Sequence, residues 1–186
     1  MYAYKQADFW KLLNLVEYKL GSKQETIELM AYSLVSFFIP LIFRQPQLLV
    51  GTVVNAVLIL TALNLKNRNI LPAIMLPSIA AAAGGYLFGG FTMYLVYLIP
   101  FIWLGNAIIV LAFKQFRLQK NKNFIVTLGI SSLAKAGFLL GITLLLVSLS
   151  IVPAVFLTAM GLLQLTTALM GGVLAFTVQK VKKAIL

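Results

Sequence analysis

The sequence has no cysteine, no histidine and only four acidic residues among its 186 positions. The lack of cysteine excludes disulfides, thiolate ligands and thiol nucleophiles, and the lack of histidine removes the commonest general base. The acids are Asp8, Glu17, Glu25 and Glu28, all before or at the start of the first long apolar run. The rest of the chain has no carboxylate for a paired-acid active site, a magnesium site or a proton relay. We therefore expect the protein not to be an enzyme and to carry no cofactor and no metal.

Apolar residues dominate what is present. The chain is 61% hydrophobic and 10% charged, whereas soluble domains are charged at roughly a quarter of their positions. A bilayer core of about 30 Å is crossed by about 20 helical residues, and six runs are long enough: 26–43, 47–65, 70–88, 91–113, 125–149 and 152–178. Because lipid offers no partner to an open backbone, all six are expected to be helical. The predicted fold is an all-α integral membrane protein with six transmembrane helices in one bundle.

The fifteen Lys and Arg residues are distributed asymmetrically. Lys135 lies inside a run, Arg44 lies in an outer loop, and the other thirteen fall in segments that six crossings place on the side of the amino terminus. Cytoplasmic loops of membrane proteins are rich in Lys and Arg. Both termini are therefore expected on the cytoplasmic side of the cell membrane, inner or plasma, and this topology explains the net charge of +11 without a nucleic-acid partner.

The segment before the first run is amphipathic. Apolar residues recur at helical spacing between charged ones: Phe9, Leu12, Leu13, Val16 and Leu20. The pattern predicts a short helix that either lies on the inner membrane surface or packs against the bundle. It does not resemble a secretory signal, so we expect an uncleaved chain, with residues 1–21 as a cytoplasmic-side segment and residues 22–183 as the transmembrane domain. Ser22 and Glu25 are predicted to form the capping box of the first crossing helix.

A cluster of small residues occurs late in the third run. Ala80 is placed over Gly84, and Ala81 over Gly85, by the four-residue spacing of a helix. Small residues at this spacing let another helix approach closely. They predict either internal packing of the bundle or docking to a partner membrane protein.

Lys135 is the only charged residue inside an apolar run other than at its ends. It lies eleven residues into its helix, roughly 15 Å deep, where a lysine costs about 2.5–3.5 kcal/mol on insertion scales. No buried acid is available to pair with it, so carbonyl groups, side-chain amides or an anionic ligand must satisfy it, or it is neutral. We expect Lys135 to face a cavity and to bind a solute, with Ser131 one turn before it on the same face.

Other helices place polar side chains near the same depth. Gln164 and Thr167 lie in the sixth run, Asn106 in the fourth and Asn55 in the second. Together with Lys135 they are the groups that a central substrate-binding cavity requires. Ordinary hydrogen bonding between helices is the alternative for each residue alone.

Aromatic residues are concentrated in the fourth run. Tyr97, Phe101 and Trp103 lie too deep for an interfacial aromatic belt. Tyr97 and Trp103 are therefore predicted to stack on a ring-containing solute, with core packing as the alternative.

The third run, "LPAIMLPSIAAAAGGYLFGG", and the fourth, "LIPFIWLGNAIIVLAF", together with the length and the six crossings, resemble the substrate-binding S components of energy-coupling factor transporters. The chain is also similar to small bacterial membrane proteins that share the "LGN" element, the lysine of "SSLAKAGFLL" and a "LLQLTTALMGG" ending. Some of those proteins carry an iron-hydrogenase label, but an iron–sulfur cluster needs thiolates, which this chain lacks.

The S-component resemblance implies a binding subunit for a small vitamin-like or anionic micronutrient. It also implies a separate transmembrane coupling subunit and two ATPases as partners, since the chain has no phosphate-binding loop. In that family an alanine pair on the first helix meets the coupling subunit; here Ala31 is followed at that spacing by Val35. The rival hypotheses are a scaffold or assembly subunit that transports nothing, and a small channel or exporter that works alone.

Overall fold

A computed structural model describes residues 9–43, 46–85 and 88–185 of the chain. These residues form helices and connecting segments, and no β-strand occurs among them. From residue 22 onward the α-helices are α1 Ser22–Ile42, α2 Gln47–Asn64, α3 Leu71–Gly84, α4 Leu95–Ala112, α5 Phe124–Ser148, α6 Val155–Met160 and α7 Leu162–Ile185. The predicted all-helical fold is confirmed.

Five helical segments of the described chain are long and apolar enough to cross a membrane: Ser22–Ile42, Gln47–Asn64, Gly89–Gln119, Phe124–Ser148 and Val155–Ile185. They indicate a multi-pass membrane protein. The third predicted run forms α3, which has only 14 residues, preceded by a 3₁₀ turn over Asn67–Ile70. It is too short to count among the five.

Although α3 is short, the segment that contains it runs alongside α1 from one end of the bundle to the other. Asn69, just before α3, donates a hydrogen bond of 3.2 Å to Glu25 in the first turn of α1. At the other end, Gly84 lies so close to α1 that a Cβ on it would be 3.0 Å from the carbonyl oxygen of Leu41. The segment from Asn69 to Gly84 therefore covers the same thickness as α1 does between Glu25 and Leu41.

Three helix boundaries differ from the sequence predictions. The N-cap of α1 is Gly21, whose N–H donates to the Gln24 side chain at 3.3 Å, one residue before the predicted Ser22 cap. The fourth helix continues past Ala112 as a π-helix, Phe113–Gln119. The sixth run is broken at Gly161 into α6 and α7.

The centre of the bundle is α2. Residues 55–64 of this helix are all buried, and its most extensive contact is with α7. Gly171 makes this contact possible, because a Cβ there would lie 2.7 Å from the backbone nitrogen of Ala56 and the carbonyl oxygen of Thr52. The two backbones touch at this crossing, as small residues in membrane helices allow.

The amino-terminal segment packs against one end of the bundle. Only residues 9–13 of the described part are helical, and Leu13 is buried in the core. The N–H of Glu17 donates to the carbonyl oxygen of Leu63 at 2.7 Å, and Arg117 forms an ion pair with the Glu17 carboxylate at 3.1 Å. This placement agrees with the alternative in which the segment packs on the bundle.

The same end, which we call the basic end, holds the start of α1, the α2–α3 and α4–α5 connections and the last turns of α7. A chain of polar contacts crosses it. Lys182 forms an ion pair with Glu28. Tyr32 donates a hydrogen bond to Glu28 at 3.0 Å and accepts one from Asn64 at 2.9 Å. Gln179 donates to Asn64 at 3.1 Å and to Glu17 at 3.0 Å. All the acidic residues that the structure describes, Glu17, Glu25 and Glu28, lie here.

Lys114 is a second fully buried lysine, which the sequence analysis counted only as a loop charge. Its ammonium donates to the carbonyl oxygens of Leu15 and Leu65, the latter at 2.7 Å. Leu65 is the C-cap of α2, where a cation also interacts favourably with the helix dipole. Lys114 thus attaches the amino-terminal segment to the bundle.

Replacing Lys114 with methionine should loosen that attachment. Hydrogen bonds from charged groups are worth about 1.5–3 kcal/mol, so we expect the free energy of unfolding to fall by about that amount and residues 9–20 to become more sensitive to protease. Lys122→Met is the matched control, since Lys122 is exposed and should change neither property. Equal protease resistance of Lys114→Met and the parent protein would contradict the role of Lys114.

Candidate solute-binding site

Lys135 lies near the middle of α5 and is 1% exposed. Its ammonium donates a hydrogen bond of 2.6 Å to Oδ1 of Asn55 on α2. The Asn55 amide nitrogen donates in turn to the Thr167 hydroxyl on α7 at 3.1 Å and to the carbonyl oxygen of Gly51 at 2.9 Å. Thr167 donates to the carbonyl oxygen of Leu163 at 2.7 Å. Three helices are thus joined by one chain of hydrogen bonds at the level of the lysine.

The close crossing of α2 and α7 positions this chain. A Cβ on Gly51 would lie 2.8 Å from the Thr167 side chain, and one on Gly171 would lie 2.8 Å from the Cβ of Asn55. Only glycine at these two positions lets Asn55 and Thr167 meet. Because the amide nitrogen of Asn55 donates to both Gly51 and Thr167, its Oδ1 is oriented toward Lys135.

A cavity of about 100 Å³ adjoins the lysine. Every helix from α1 to α7 contributes to its wall. The lining residues are Pro40, Gln47, Val50, Gly51, Val54, Asn55, Pro77, Ser78, Ala81, Phe88, Leu95, Ile102, Asn106, Lys135, Ala159, Met160, Leu163, Gln164 and Thr167. Most of the wall is apolar, with a few polar groups among them, which is the usual composition of a small-molecule site.

The cavity extends from the lysine away from the basic end. Gln47 and Leu95, the first residues of α2 and α4, line it, and so does Phe88 in the preceding connection. The break at Gly161 also borders it through Met160 on one side and Leu163 on the other. Residues 162–164 begin a helix, so their N–H groups have no partner within it and add positive potential to this wall.

Lys135 and Lys114 differ in how the protein satisfies them. Two backbone carbonyls accept from Lys114, whereas the described residues supply Lys135 with a single acceptor, Asn55 Oδ1. An ammonium has three donors. Among the described residues no backbone carbonyl accepts a hydrogen bond from Lys135. This does not support the alternative in which helix carbonyls satisfy the lysine.

The side chain of Gln164 also lacks hydrogen-bond partners among the described residues. Its Oε1 is buried without such a partner, although Gln164 lines the cavity. Asn106 is 1% exposed and donates to the carbonyl oxygen of Ile74 at 2.9 Å, which holds its amide at the cavity wall between α3 and α4. The cavity therefore brings together five of the predicted residues: Lys135, Asn55, Asn106, Gln164 and Thr167.

Three predicted residues lie elsewhere. Tyr97 is 57% exposed on the outer surface of α4. Trp103 does not line the cavity, and its indole N–H donates to Ser78 at 2.8 Å and to the carbonyl oxygen of Met75 at 3.2 Å. Ser131 is buried and bonds the carbonyl oxygen of Leu128 at 3.2 Å, one turn earlier on its own helix.

The small residues of the third run pack within the chain. Ala80 and Ala81 are buried, and Gly84 lies against α1. Gly85 is exposed and ends α3 in the left-handed conformation, with φ of 69°. This placement agrees with internal packing, the alternative to docking.

Sequence reasoning missed several wall residues, including Pro40, Pro77 and Ser78. A proline inside a helix removes a backbone hydrogen bond and is often retained where neighbouring groups line a cavity. Both prolines fall inside apolar runs, so they were a usable signal. Met160 and Phe88 carried no comparable signal, because apolar residues in such runs are everywhere.

The chain was compared with protein-family models, with curated proteins and with solved structures, and none of them matches it.

Proposed function

We propose that this protein is a membrane-embedded binding subunit that takes up a small solute in the cavity beside Lys135. The observation that supports this most directly is the incomplete pairing of a buried lysine: one side-chain acceptor within the described chain, and a cavity on its free side. A scaffold that used its polar groups only as helix contacts would gain nothing from a mid-bundle ammonium whose donors face a cavity. Such a group is costly to bury unless a ligand pairs with it.

The proposal includes six crossings with both termini in the cytoplasm. Its support is that α3 extends beside α1 from end to end, and that the described Lys and Arg residues outside α5 all belong to the basic end. With this topology the basic end faces the cytoplasm, and the cavity extends from Lys135 toward the outer side. A binding subunit for uptake requires that arrangement.

Reporter fusions test the topology. Fusions near positions 45, 90 and 151 should report an outside location, and those near 67 and 118 an inside location, because the described Lys and Arg clusters hold the latter pair in the cytoplasm. An inside signal at position 90 would show that the segment forming α3 does not cross, and would leave five crossings.

Energy for uptake would come from other subunits. The chain has no Gly-rich phosphate loop, and the acids that the structure describes lie at the basic end, away from the cavity. We therefore propose a transmembrane coupling subunit and ATPases as partners, as the resemblance to S components implies. The outer face of α1 is available for such a contact: Ile27, Met30 and Leu34 are each more than half exposed.

A binding screen tests the proposed function. The purified chain in detergent should be stabilised against heat by at least one class of small anions or polar carbonyl compounds, since a ligand that binds only the folded state raises its stability. Vesicles that contain this chain alone should not accumulate that compound. Accumulation without partners would favour a channel or exporter, and the absence of any ligand would favour a scaffold.

A further inference from the structure

The side-chain amide of Gln164 has no partner in the described chain. Its Oε1 is buried, and no hydrogen bond joins either end of the amide to another described residue. The side-chain amides of four buried residues, Asn55, Asn64, Asn106 and Gln179, each make at least one such bond. Gln164 therefore places an unpaired donor and an unpaired acceptor at the cavity wall.

Gln164 and Lys135 belong to one polar surface. Gln164 lies one helical turn before Thr167, whose hydroxyl accepts from Asn55, and Asn55 accepts from Lys135. Residues three apart on a helix have Cβ atoms about 5–6 Å apart. Both residues also line the same cavity of about 100 Å³, so a solute in that cavity can contact the ammonium and the amide.

Lys135 and Gln164 require different hydrogen-bond partners. The Lys135 ammonium requires acceptors. Gln164 Oε1 needs a donor, and its amide nitrogen needs an acceptor. A fully ionised carboxylate or phosphate offers acceptors only, so it would satisfy Lys135 and leave Gln164 Oε1 facing oxygen atoms of the same polarity. Turning the amide by 180° still leaves one donor and one acceptor, so the demand does not depend on its orientation.

We infer that the solute carries an amide-type edge, an N–H donor beside a carbonyl acceptor, which pairs with Gln164 through two hydrogen bonds while a second carbonyl or an anionic group of the solute binds Lys135. This inference rests on the proposed function and names its substrate class. Lactams, imides, ureides and oxo-substituted heterocycles belong to the class. The cavity of about 100 Å³ equals the liquid volume of about three waters at about 30 Å³ each, which limits the solute to the smallest members of the class.

Matched probes that differ by one methyl group test the inference. Succinimide has an N–H between two carbonyls, and N-methylsuccinimide lacks only that donor. Isothermal titration of the purified full-length chain should show at least tenfold weaker binding of the N-methyl compound. Uracil and 1,3-dimethyluracil, which differ by two methyl groups and by both N–H donors, form a second pair with the same expectation.

Two variants test which residue causes the difference in affinity between the N–H and the N-methyl compounds. In Gln164→Leu the preference for the N–H compound should fall to less than twofold, because the leucine offers no partner to the donor. In Lys135→Met both members of a pair should bind more weakly by a similar factor, so that the preference persists. Ligand-free Gln164→Leu should melt at the same temperature as the parent protein or higher, since it removes a buried carbonyl oxygen that has no partner among the described residues.

Several results would overturn the inference. They are equal binding of both members of each pair to the parent protein, a preference that persists in Gln164→Leu, or a clear loss of thermal stability in ligand-free Gln164→Leu. If small carboxylates such as propionate bind through Lys135 while N-methylation of the imide has no effect, the amide edge is wrong and the proposed function stands. If none of these probes binds, the inference is wrong, and if no compound of the wider binding screen binds either, the proposed function is wrong too.

Discussion

Gly171→Ala should strongly destabilise the folded protein. The added Cβ would lie 2.7 Å from the backbone nitrogen of Ala56 and the carbonyl oxygen of Thr52, and neither atom can move without shifting α2. Overpacking of this kind costs about 1–3 kcal/mol, and occasionally more. We expect the free energy of unfolding to fall by at least about 2 kcal/mol on that scale, measured by thermal or denaturant unfolding in detergent. Solute binding should fall as well, because the same crossing positions Asn55.

Gly137→Ala is the matched control for this change. Gly137 lies on α5, two residues from Lys135, but a Cβ there meets no atom of the described residues within 4 Å. Alanine is favoured over glycine inside a helix by about 0.5–1 kcal/mol, so this variant should be at least as stable as the parent protein. Equal stability of Gly171→Ala and Gly137→Ala would mean that α2 and α7 are not in backbone contact.

Helix positions were predictable because a membrane leaves the backbone few choices. The predicted run 125–149 became Phe124–Ser148, and the predicted run 47–65 became Gln47–Asn64. The break at Gly161 was missed, since one glycine inside an apolar run is tolerated in most membrane helices. The short length of α3 was missed for a similar reason: apolar composition continues past Gly84, where the helix ends.

The residues of the candidate site were predictable where a polar side chain is costly to bury in a membrane. Burial of a lysine, asparagine or glutamine in an apolar run costs free energy whichever way the side chain faces. The sequence alone therefore identified Lys135, Asn55, Asn106 and Gln164. Rotation about each helix axis was not predictable. For this reason Tyr97 was placed in the cavity although it faces outward, and the pairing of Lys114 with backbone carbonyls was not foreseen.

Lys135→Met should weaken solute binding about 10- to 150-fold. This factor corresponds to about 1.5–3 kcal/mol, the usual value of a hydrogen bond to a charged group. Methionine keeps the length and the apolar stem of lysine, so the bundle around it can pack as before. The variant loses one bond to Asn55, but it also removes a desolvated ammonium, and we expect the melting temperature of the ligand-free protein to change little.

The affinity of Lys135→Met for a probe that binds the parent protein tests the central claim most directly. Lys122→Met, which removes an exposed lysine, serves as the control and should bind with the parent affinity. The account predicts at least a tenfold rise in the dissociation constant for Lys135→Met, with the folded protein intact. If Lys135→Met binds every probe with the parent affinity, the lysine does not anchor a solute, and the cavity beside it is not the binding site.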